Sequence, residues 1–396
     1  MPRNNISWFK PAVAALIVVA AACSCDDDKS EPEILEDPYS PAQGGTGGIS
    51  DAGYSLGLQS AVFGFTAQNR YAYCPSAMSM PDGSTEIYFC GNPVPDVMID
   101  NIYHTTLTPD GNHTTARSVM QPGITGSWDS HHTCDPSVVK GTFSMDGHQY
   151  AYAMFYLGCS TEYYYNEVGV AFADTPDATA WIKYPFQIVT KGWDSPGDLE
   201  YAPGARCWGT GQPSAVSLDK KGKVLLTYTI GNLQGTRLMA REIDFSDMSH
   251  PVISSPVTIS TQGLSNSSNS GSDIICNADI AIEPASGTML MIRPVQPHAD
   301  TYPSYISSII EICSMPAEDF RTGIGRWKQL YRIGPEQTGY PRNHNAALHR
   351  DEYGYVANID KIGFYYTTSR EAPDVAPAEG KHAEWTYSIR RGSIER

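Results

Sequence analysis

The chain has 396 residues, with 43 acidic against 27 basic side chains and a formal net charge of −16. No stretch rich in Lys and Arg interrupts this acidic balance, which argues against a nucleic-acid partner. Charged residues make up only 18% of the chain, whereas Gly (35), Pro (28) and Tyr (24) are abundant. This composition is typical of a turn-rich, all-β protein.

The first 22 residues have the pattern of a lipoprotein signal peptide. Arg3 and Lys10 flank the apolar run 12–22, which is too short for a stable membrane anchor and resembles a secretory h-region. Small residues before Cys23 resemble a bacterial lipoprotein box, and SCDDDK (24–29) resembles the export tag of Bacteroidetes surface lipoproteins. We therefore expect a lipid on Cys23 to hold the protein at the outer membrane or cell surface, as its only membrane contact. An ordinary secretory peptide is the alternative.

Residues 23–55 are predicted to form a flexible tether. The segment is acidic and then rich in Pro and Gly, with few large apolar residues, so it cannot bury enough surface to offset its ordering entropy.

Eight cysteines follow Cys23, and their spacings fit no zinc motif. Eight cysteines in a domain of this size predict mostly buried or loop thiols, with one or two disulfides.

A short phrase recurs five times along residues 56–396. It opens with a polar residue and continues with two small residues, an apolar pair, a Gly-containing turn and an aromatic-rich strand. The phrase begins at CPSAMS (74–79), DPSVV (135–139), QPSAVS (212–217), NADIAI (277–282) and HNAAL (344–348). Repeats of this length indicate one structural unit per repeat around a common axis.

Most repeats contain four runs with the composition of strands. In the fifth repeat these runs are the opening phrase, then GYVANI (354–359), GFYYTTS (363–369) and EWTYSIRR (384–391). Repeated four-stranded antiparallel units protect sheet edges when they form a closed ring. The predicted fold is therefore a five-bladed β-propeller with four antiparallel strands per blade.

The first residue of each phrase should lie at one end of the propeller axis. The innermost strand of a blade is its first, and the small residues after each opening position suit a crowded axis. Binding sites of propellers commonly lie at such a mouth. The predicted ring of five polar side chains consists of Cys74, Asp135, Gln212, Asn277 and His344.

This arrangement resembles the five-bladed propeller glycosidases, especially glycoside hydrolase family 43 and its relatives in families 32, 62 and 68. DPSVV (135–139), together with NEVGVAFAD (166–174), is similar to their second blade. The resemblance implies a carbohydrate-active protein that binds an oligo- or polysaccharide at the central funnel and hydrolyses it. A glycan-binding propeller without catalysis is the alternative.

In the resembled family, three carboxylates begin blades one, two and three. The corresponding residues here are Cys74, Asp135 and Gln212, so only Asp135 is retained as a catalytic candidate. Glycoside cleavage requires one protonated and one ionised carboxyl group, and neither a thiol nor an amide replaces them. Loop carboxylates are the alternative source, each with a competing role as a turn or solvated residue: Asp129, Asp194, Asp198, Glu200 and Asp279.

Further residues are predicted to contact the sugar or an ion. Planar side chains before blades two and three could stack on sugar faces, with packing between blades as the alternative. The candidates are Trp128, His132, Arg206 and Trp208, beside the ring residues Cys74, Gln212, Asn277 and His344. The resemblance also implies that His344 holds a cation or water in the channel, although Ca²⁺ would need more oxygen ligands than the ring supplies.

Overall fold

The computed structural model describes residues 52–64, 70–160, 166–190, 207–232, 235–265, 275–295, 306–370 and 383–396. Within these ranges the repeats form five antiparallel blades around one axis, which confirms the predicted five-bladed β-propeller. The predicted signal peptide, Cys23 and residues 23–51 lie outside the described residues.

The strands follow the repeats in chain order. Two short strands, β1 (Ser55–Leu56) and β2 (Ser60–Gly64), precede the first blade. Blade one contains β3 (Ala72–Ser79), β4 (Thr85–Gly91), β5 (Asn101–Leu107) and β6 (Arg117–Met120). Blade two contains β7 (His132–Met145), β8 (His148–Cys159), β9 (Asn166–Ala173) and β10 (Ile182–Lys183). Blade three contains β11 (Cys207–Ser217), β12 (Lys223–Asn232), β13 (Gly235–Asp244), β14 (Val252–Ile253) and β15 (Val257–Thr258).

Blades four and five complete the ring. Blade four contains β16 (Asp279–Glu283), β17 (Thr288–Pro294), β18 (Ile310–Pro316) and β19 (Lys328–Ile333). Blade five contains β20 (Arg342–Asp351), β21 (Lys361–Ser369) and β22 (Ser388–Glu395). Its outer edge is supplied by β1 and β2, which both pair antiparallel with β22. The first and last strands of the described chain are thereby joined in one sheet.

The predicted strand order of blade five was wrong. The segment GYVANI (354–359) is a turn region, and GFYYTTS (363–369) lies in the second strand, β21. The C-terminal strand β22 is therefore third, and the fourth position is filled from the N-terminal side of the propeller. Strand composition alone could not show this pairing because its partners are separated by more than 300 residues.

The described part of the chain contains short helices: α1 (Ala317–Thr322), α2 (Pro335–Thr338) and a 3-10 turn (Ala383–Thr386). None of the helices in the described ranges is long and apolar enough to cross a membrane.

The hydrophobic core is divided among the contacts between neighbouring blades. For example, Val139 and Phe155 of blade two pack in one cluster with Leu226 and Tyr228 of blade three. Comparable clusters join blades one and two, three and four, four and five, and five and one. Since each blade packs on two neighbours, the inner strands are fixed firmly around the axis.

The inner strands share a local distortion at the predicted ring. The pairing register with the second strand shifts across Cys74, Asp135 and Gln212, as it does in a β-bulge. These residues have φ angles of 53°, 48° and 53°, and Asn277 and Asn345 have 47° and 40°. A left-handed backbone is uncommon for residues other than glycine, so its recurrence marks one equivalent position in all five blades.

Candidate active site at the mouth of the axis

The ring position of blade five is Asn345, and the sequence-based choice of His344 was one residue too early. Only Asn345 has the left-handed φ that the other four ring residues share. His344 is instead buried, with its Nδ1 2.6 Å from the Asn345 Oδ1 and its Nε2 3.3 Å from the Ser369 hydroxyl. The His344 imidazole also lies 4.8 Å from the Tyr387 phenol ring, so His344 packs behind the polar side chains that face the axis.

The five ring residues converge on the axis. Each of them, with the residue that follows it, lines a narrow channel of about 30 Å³. Four also line a wider cavity of about 500 Å³ at the mouth: Asp135, Gln212, Asn277 and Asn345. The mouth of the propeller is therefore a pocket large enough for a sugar unit.

Hydrogen bonds connect the ring from blade to blade. The Asn277 backbone N–H donates to the Gln212 Oε1 (2.7 Å), and the Asn345 amide donates to the Asn277 Oδ1 (2.9 Å). Asn345 also hydrogen-bonds the Cys74 side chain, whose thiol in turn bonds the Asp135 carboxylate. The chain of contacts thus runs from blade three through four, five and one to Asp135 in blade two.

This network bears on the expected Ca²⁺ site. The side-chain oxygens of Gln212 and Asn277 each accept a hydrogen bond from the next ring residue, and that of Asn345 lies 2.6 Å from the His344 Nδ1. The carboxylate of Asp135 is the one anionic group among the ring side chains. Because Ca²⁺ takes six to eight oxygen ligands, the described ring does not fit this ion.

Asp135 occupies a desolvated position. Its side chain is buried, and desolvation raises its pKa to about 6, with a smaller upward effect from the negative charge of Asp100. The Cys74 thiol and His132 oppose this shift. A carboxyl group with such a pKa exchanges protons near neutral pH, as acid–base catalysis requires.

A second buried carboxylate, Asp100, lines the same cavity and was not predicted from the sequence. The hydroxyls of Tyr71 and Tyr73 donate to its two oxygens at 2.6 and 3.0 Å. Its backbone carbonyl accepts the Thr133 N–H of β7, which ties it to blade two beside Asp135. Desolvation raises the pKa of Asp100, whereas His132 and both tyrosine hydroxyls favour its ionised form.

The wall of the cavity is aromatic. Tyr71, Tyr73 and Tyr387 line it, and their rings contact one another at centroid distances between 5.6 and 6.5 Å. Trp385 stacks on Tyr71 at 5.7 Å and supports this wall. These residues were also absent from the sequence prediction, although an aromatic residue just before the Cys74 phrase was a visible signal.

The predicted loop residues divide into three groups. His132 lines the cavity, with its Nδ1 3.7 Å from the Asp100 carboxylate. Trp128 lies outside it, stacked on Tyr156 at 5.5 Å above the small surfaces of Gly158 and Gly169. Arg206 and the side chain of Trp208 lie outside the described residues.

Two of the alternative carboxylates, Asp129 and Asp279, are described and do not line the wider cavity. Asp129 is buried against the Lys183 ammonium (2.5 Å) and the Tyr156 hydroxyl (3.1 Å). Asp279 lies one layer deeper, 3.2 Å from the Arg350 guanidinium. Asp194, Asp198 and Glu200 fall outside the described residues.

One disulfide lies directly beside the ring. Cys90 of β4 is bonded to Cys134 of β7, which links blades one and two at the residue before Asp135. Among the cysteines with described side chains, Cys74, Cys159 and Cys313 are free thiols. Both observations agree with the expected mixture of mostly free thiols and one or two bridges.

Three solved structures with a similar architecture superpose on this chain. Zg3597, a family 117 glycoside hydrolase of the marine bacterium Zobellia galactanivorans, superposes with a TM-score of 0.55 at 10% identity, covering 88% of this chain and 92% of that chain. The catalytic domain of a GH62 α-L-arabinofuranosidase of Coprinopsis cinerea gives 0.51 at 9% identity, with coverages of 86% and 96%. An endo-arabinase of Bacteroides thetaiotaomicron gives 0.50 at 12% identity, with coverages of 83% and 95%. The chain has the fold of the propeller glycosidases.

Sequence comparison adds no family assignment to this fold. No protein-family model matches the chain, and no curated protein matches it by sequence. Identities near 10% show a common fold alone, because one fold hosts many functions. The function therefore has to be argued from the cavity of this propeller.

Proposed function

We propose that the cavity at the mouth of the axis binds a glycan and hydrolyses a glycosidic bond, with Asp135 and Asp100 as its carboxylates. One observation carries this proposal: two buried carboxylates from neighbouring blades line one cavity of about 500 Å³. The basic side chains among the described residues that line it are His131 and His132, and the His132 Nδ1 lies 3.7 Å from the Asp100 carboxylate. Two carboxyl groups in one desolvated cavity can take the acid and base roles that glycoside hydrolysis requires.

The two carboxylates have different surroundings, which assigns different roles. A pKa of about 6 keeps a large share of Asp135 protonated in mildly acidic solution, so it serves as the general acid for the leaving oxygen. Desolvation raises the pKa of Asp100 as well, but two tyrosine hydroxyls donate to its oxygens, oppose this rise and fix its orientation. It is therefore the candidate for the base that activates water.

The remaining cavity groups suit a carbohydrate. The rings of Tyr71, Tyr73 and Tyr387 offer apolar faces for a sugar, and the amides of Gln212 and Asn277 offer polar groups for its hydroxyls. The substrate class is thus an oligo- or polysaccharide. An arabinofuranosidase and an endo-arabinase are among the superposed structures, which supports this class without fixing the sugar.

We place this activity outside the cell. The proposed lipid on Cys23 and the proposed tether 23–55 would hold the propeller at the outer membrane or cell surface, where polymeric glycans are accessible. Labelling with a radioactive fatty acid, lost in Cys23→Ala, would test the anchor independently of the activity.

Reducing-sugar release from a panel of neutral and acidic polysaccharides tests the hydrolysis. We expect Asp135→Asn and Asp100→Asn each to lower the rate about 10²- to 10⁴-fold, the usual contribution of a general acid or base. Asp146→Asn is the matched control, since Asp146 also has a left-handed backbone (φ 53°) but lies exposed at the far end of β7. An unchanged rate in Asp135→Asn would exclude it as the acid.

Glycan binding without hydrolysis is the second candidate. The observation that favours it is the presence of Cys74 and Gln212 at ring positions where the resembled enzymes carry carboxylates. In that case the wild type would be retarded in affinity electrophoresis on a glycan-containing gel and would release no sugar. Asp135→Asn would then change the retardation alone.

A further inference from the structure

Three sulfur atoms and a carboxylate meet at the ring. The Sγ atoms of Cys74 and Cys90 and a carboxylate oxygen of Asp135 all lie within 4.8 Å of one another. Cys90 is already bonded to Cys134. A free thiol is thus placed next to a disulfide, with a proton acceptor beside both.

The strand pairing explains this arrangement. Tyr73 is the register partner of Cys90 across β3 and β4, and the bulge at the next residue directs Cys74 to the axis. Cys134 immediately precedes Asp135 in β7, and the Asp135 N–H lies 2.9 Å from the Cys90 Sγ. The bulge that forms the ring therefore also brings the third sulfur to the disulfide.

We propose that Cys74 exchanges with the Cys90–Cys134 disulfide, so that the crosslink alternates between a bond joining blades one and two and a bond within blade one. The Cys74 thiol loses its proton to solvent, and the thiolate attacks the Cys90 Sγ. The Cys74–Cys90 bond forms as the Cys90–Cys134 bond breaks, and Cys134 leaves as a thiolate that takes up a proton from solvent. The step is an isomerisation and requires neither oxidant nor reductant.

The exchange would change which thiol faces Asp135. The Cys74 thiol now bonds this carboxylate, whereas in the other isomer the freed Cys134 thiol would do so, since the Cys134 Sγ lies 3.4 Å from the Asp135 Oδ1. The covalent link between blades one and two beside the carboxylate is lost at the same time. The isomer with the Cys74–Cys90 bond would therefore hold Asp135 between two blades that this disulfide no longer joins.

The surroundings of Cys74 make the exchange slow near neutral pH. Desolvation holds the pKa of its thiol well above the usual value, and the negative charges of Asp135 on β7 and Asp279 on β16 act in the same direction. The Asn345 amide on β20 opposes them, and Tyr73 on β3 is a further titratable neighbour. Since the thiolate is the nucleophile, the exchange rate should rise about tenfold per pH unit below the pKa of the thiol.

Non-reducing peptide mapping tests the proposal. The protein purified without reductant is incubated at pH 7, 8 and 9, quenched with acid, labelled with N-ethylmaleimide at low pH in denaturant, and digested. We expect the label to divide between Cys74 and Cys134, with an approach to equilibrium that is about tenfold faster per pH unit. Label on Cys74 at every pH, with Cys134 always disulfide-bonded, would overturn the proposal.

Single serine variants give a second, independent readout. With oxidised glutathione as oxidant, Cys134→Ser should form the Cys74–Cys90 disulfide, whereas Cys74→Ser should keep Cys90–Cys134 at every pH. Cys313→Ser, which removes a buried free thiol in blade four, is the matched control and should exchange like the wild type. Failure of Cys134→Ser to form the new bond would show that Cys74 cannot reach Cys90. Because the readout is peptide mass, it is unaffected if the proposed hydrolysis fails.

Discussion

Two successive layers of side chains on the inner strands differ in whether their buried carboxylate is paired with an arginine. The ring layer contains Asp135 among a thiol and three amides, and it opens into the cavity. The layer two residues further along contains Ser137, Ser214 and Asp279. Into this second layer Arg350 of blade five inserts its buried guanidinium, 3.2 Å from the Asp279 carboxylate.

The second layer connects neighbouring blades. Arg350 donates to the carbonyls of Ala215 (3.1 Å) and Ile280 (2.7 Å), so one side chain connects blade five with blades three and four. The ring layer has no such cation among its described side chains, and desolvation raises the pKa of Asp135. A buried carboxylate kept without a counter-charge costs stability, which proteins accept at functional sites.

The largest effect should come from breaking the second layer. We expect Arg350→Met to lower the free energy of unfolding by about 3 to 5 kcal/mol, because it leaves the Asp279 carboxylate buried without its partner. Urea denaturation followed by tryptophan fluorescence measures this change. The double variant Arg350→Met/Asp279→Asn should recover part of the loss, since the unpaired charge is removed.

A surface ion pair provides the control for this prediction. Lys361 and Glu395 lie 2.8 Å apart, but their side chains are 66% and 46% exposed. Lys361→Met should therefore change the stability by less than about 1 kcal/mol. If both variants lose the same amount, Arg350 is no more than one of several equivalent contacts.

Asp135→Asn should have the opposite sign. The pKa of Asp135 is about 6 in the native state and near 3.8 when unfolded, so between these values the native state binds the extra proton. The stability of the wild type therefore falls as the pH rises from about 4 to about 6, by up to about 3 kcal/mol. The variant lacks this fall and should be more stable than the wild type at pH 7.

Urea midpoints measured at pH 4, 5, 6 and 7 test this pH dependence. The difference between variant and wild type should grow across the series and level off above pH 6. Asp146→Asn again serves as the control, since its carboxylate is exposed. A variant that loses stability at pH 7 would mean that the ionised Asp135 is compensated in the native state.

The ring shows how far sequence reasoning reaches and where it stops. Four of its positions followed from the repeat. Cys74, Asp135, Gln212 and Asn277 each open the recurring phrase, and all four have the left-handed backbone of the ring. In blade five the phrase HNAAL offered two adjacent polar residues. The left-handed backbone decides between them, because it is found at Asn345, and asparagine is one of the few residue types other than glycine that adopt it.

Asp100 could not be found in the same way. It lies in the segment before β5 and has no counterpart in the other repeats, so periodicity gives it no weight. Its position at the cavity depends on tertiary contacts, the two tyrosine hydroxyls and the Thr133 N–H, that no local pattern encodes. The same holds for the outer edge of blade five, where β2 pairs with β22.

The smallest effect concerns the backbone of the ring itself. Asn345→Gly and Asn345→Ala both remove the amide bond to Asn277, but only alanine retains a Cβ in a left-handed conformation of φ 40°. The glycine variant should therefore be more stable than the alanine variant by about 1 kcal/mol. At Ala77, a buried β3 position outside the left-handed set, alanine to glycine should instead be destabilising by a comparable amount. The same sign at both sites would mean that the ring residues are not held in this backbone conformation in solution.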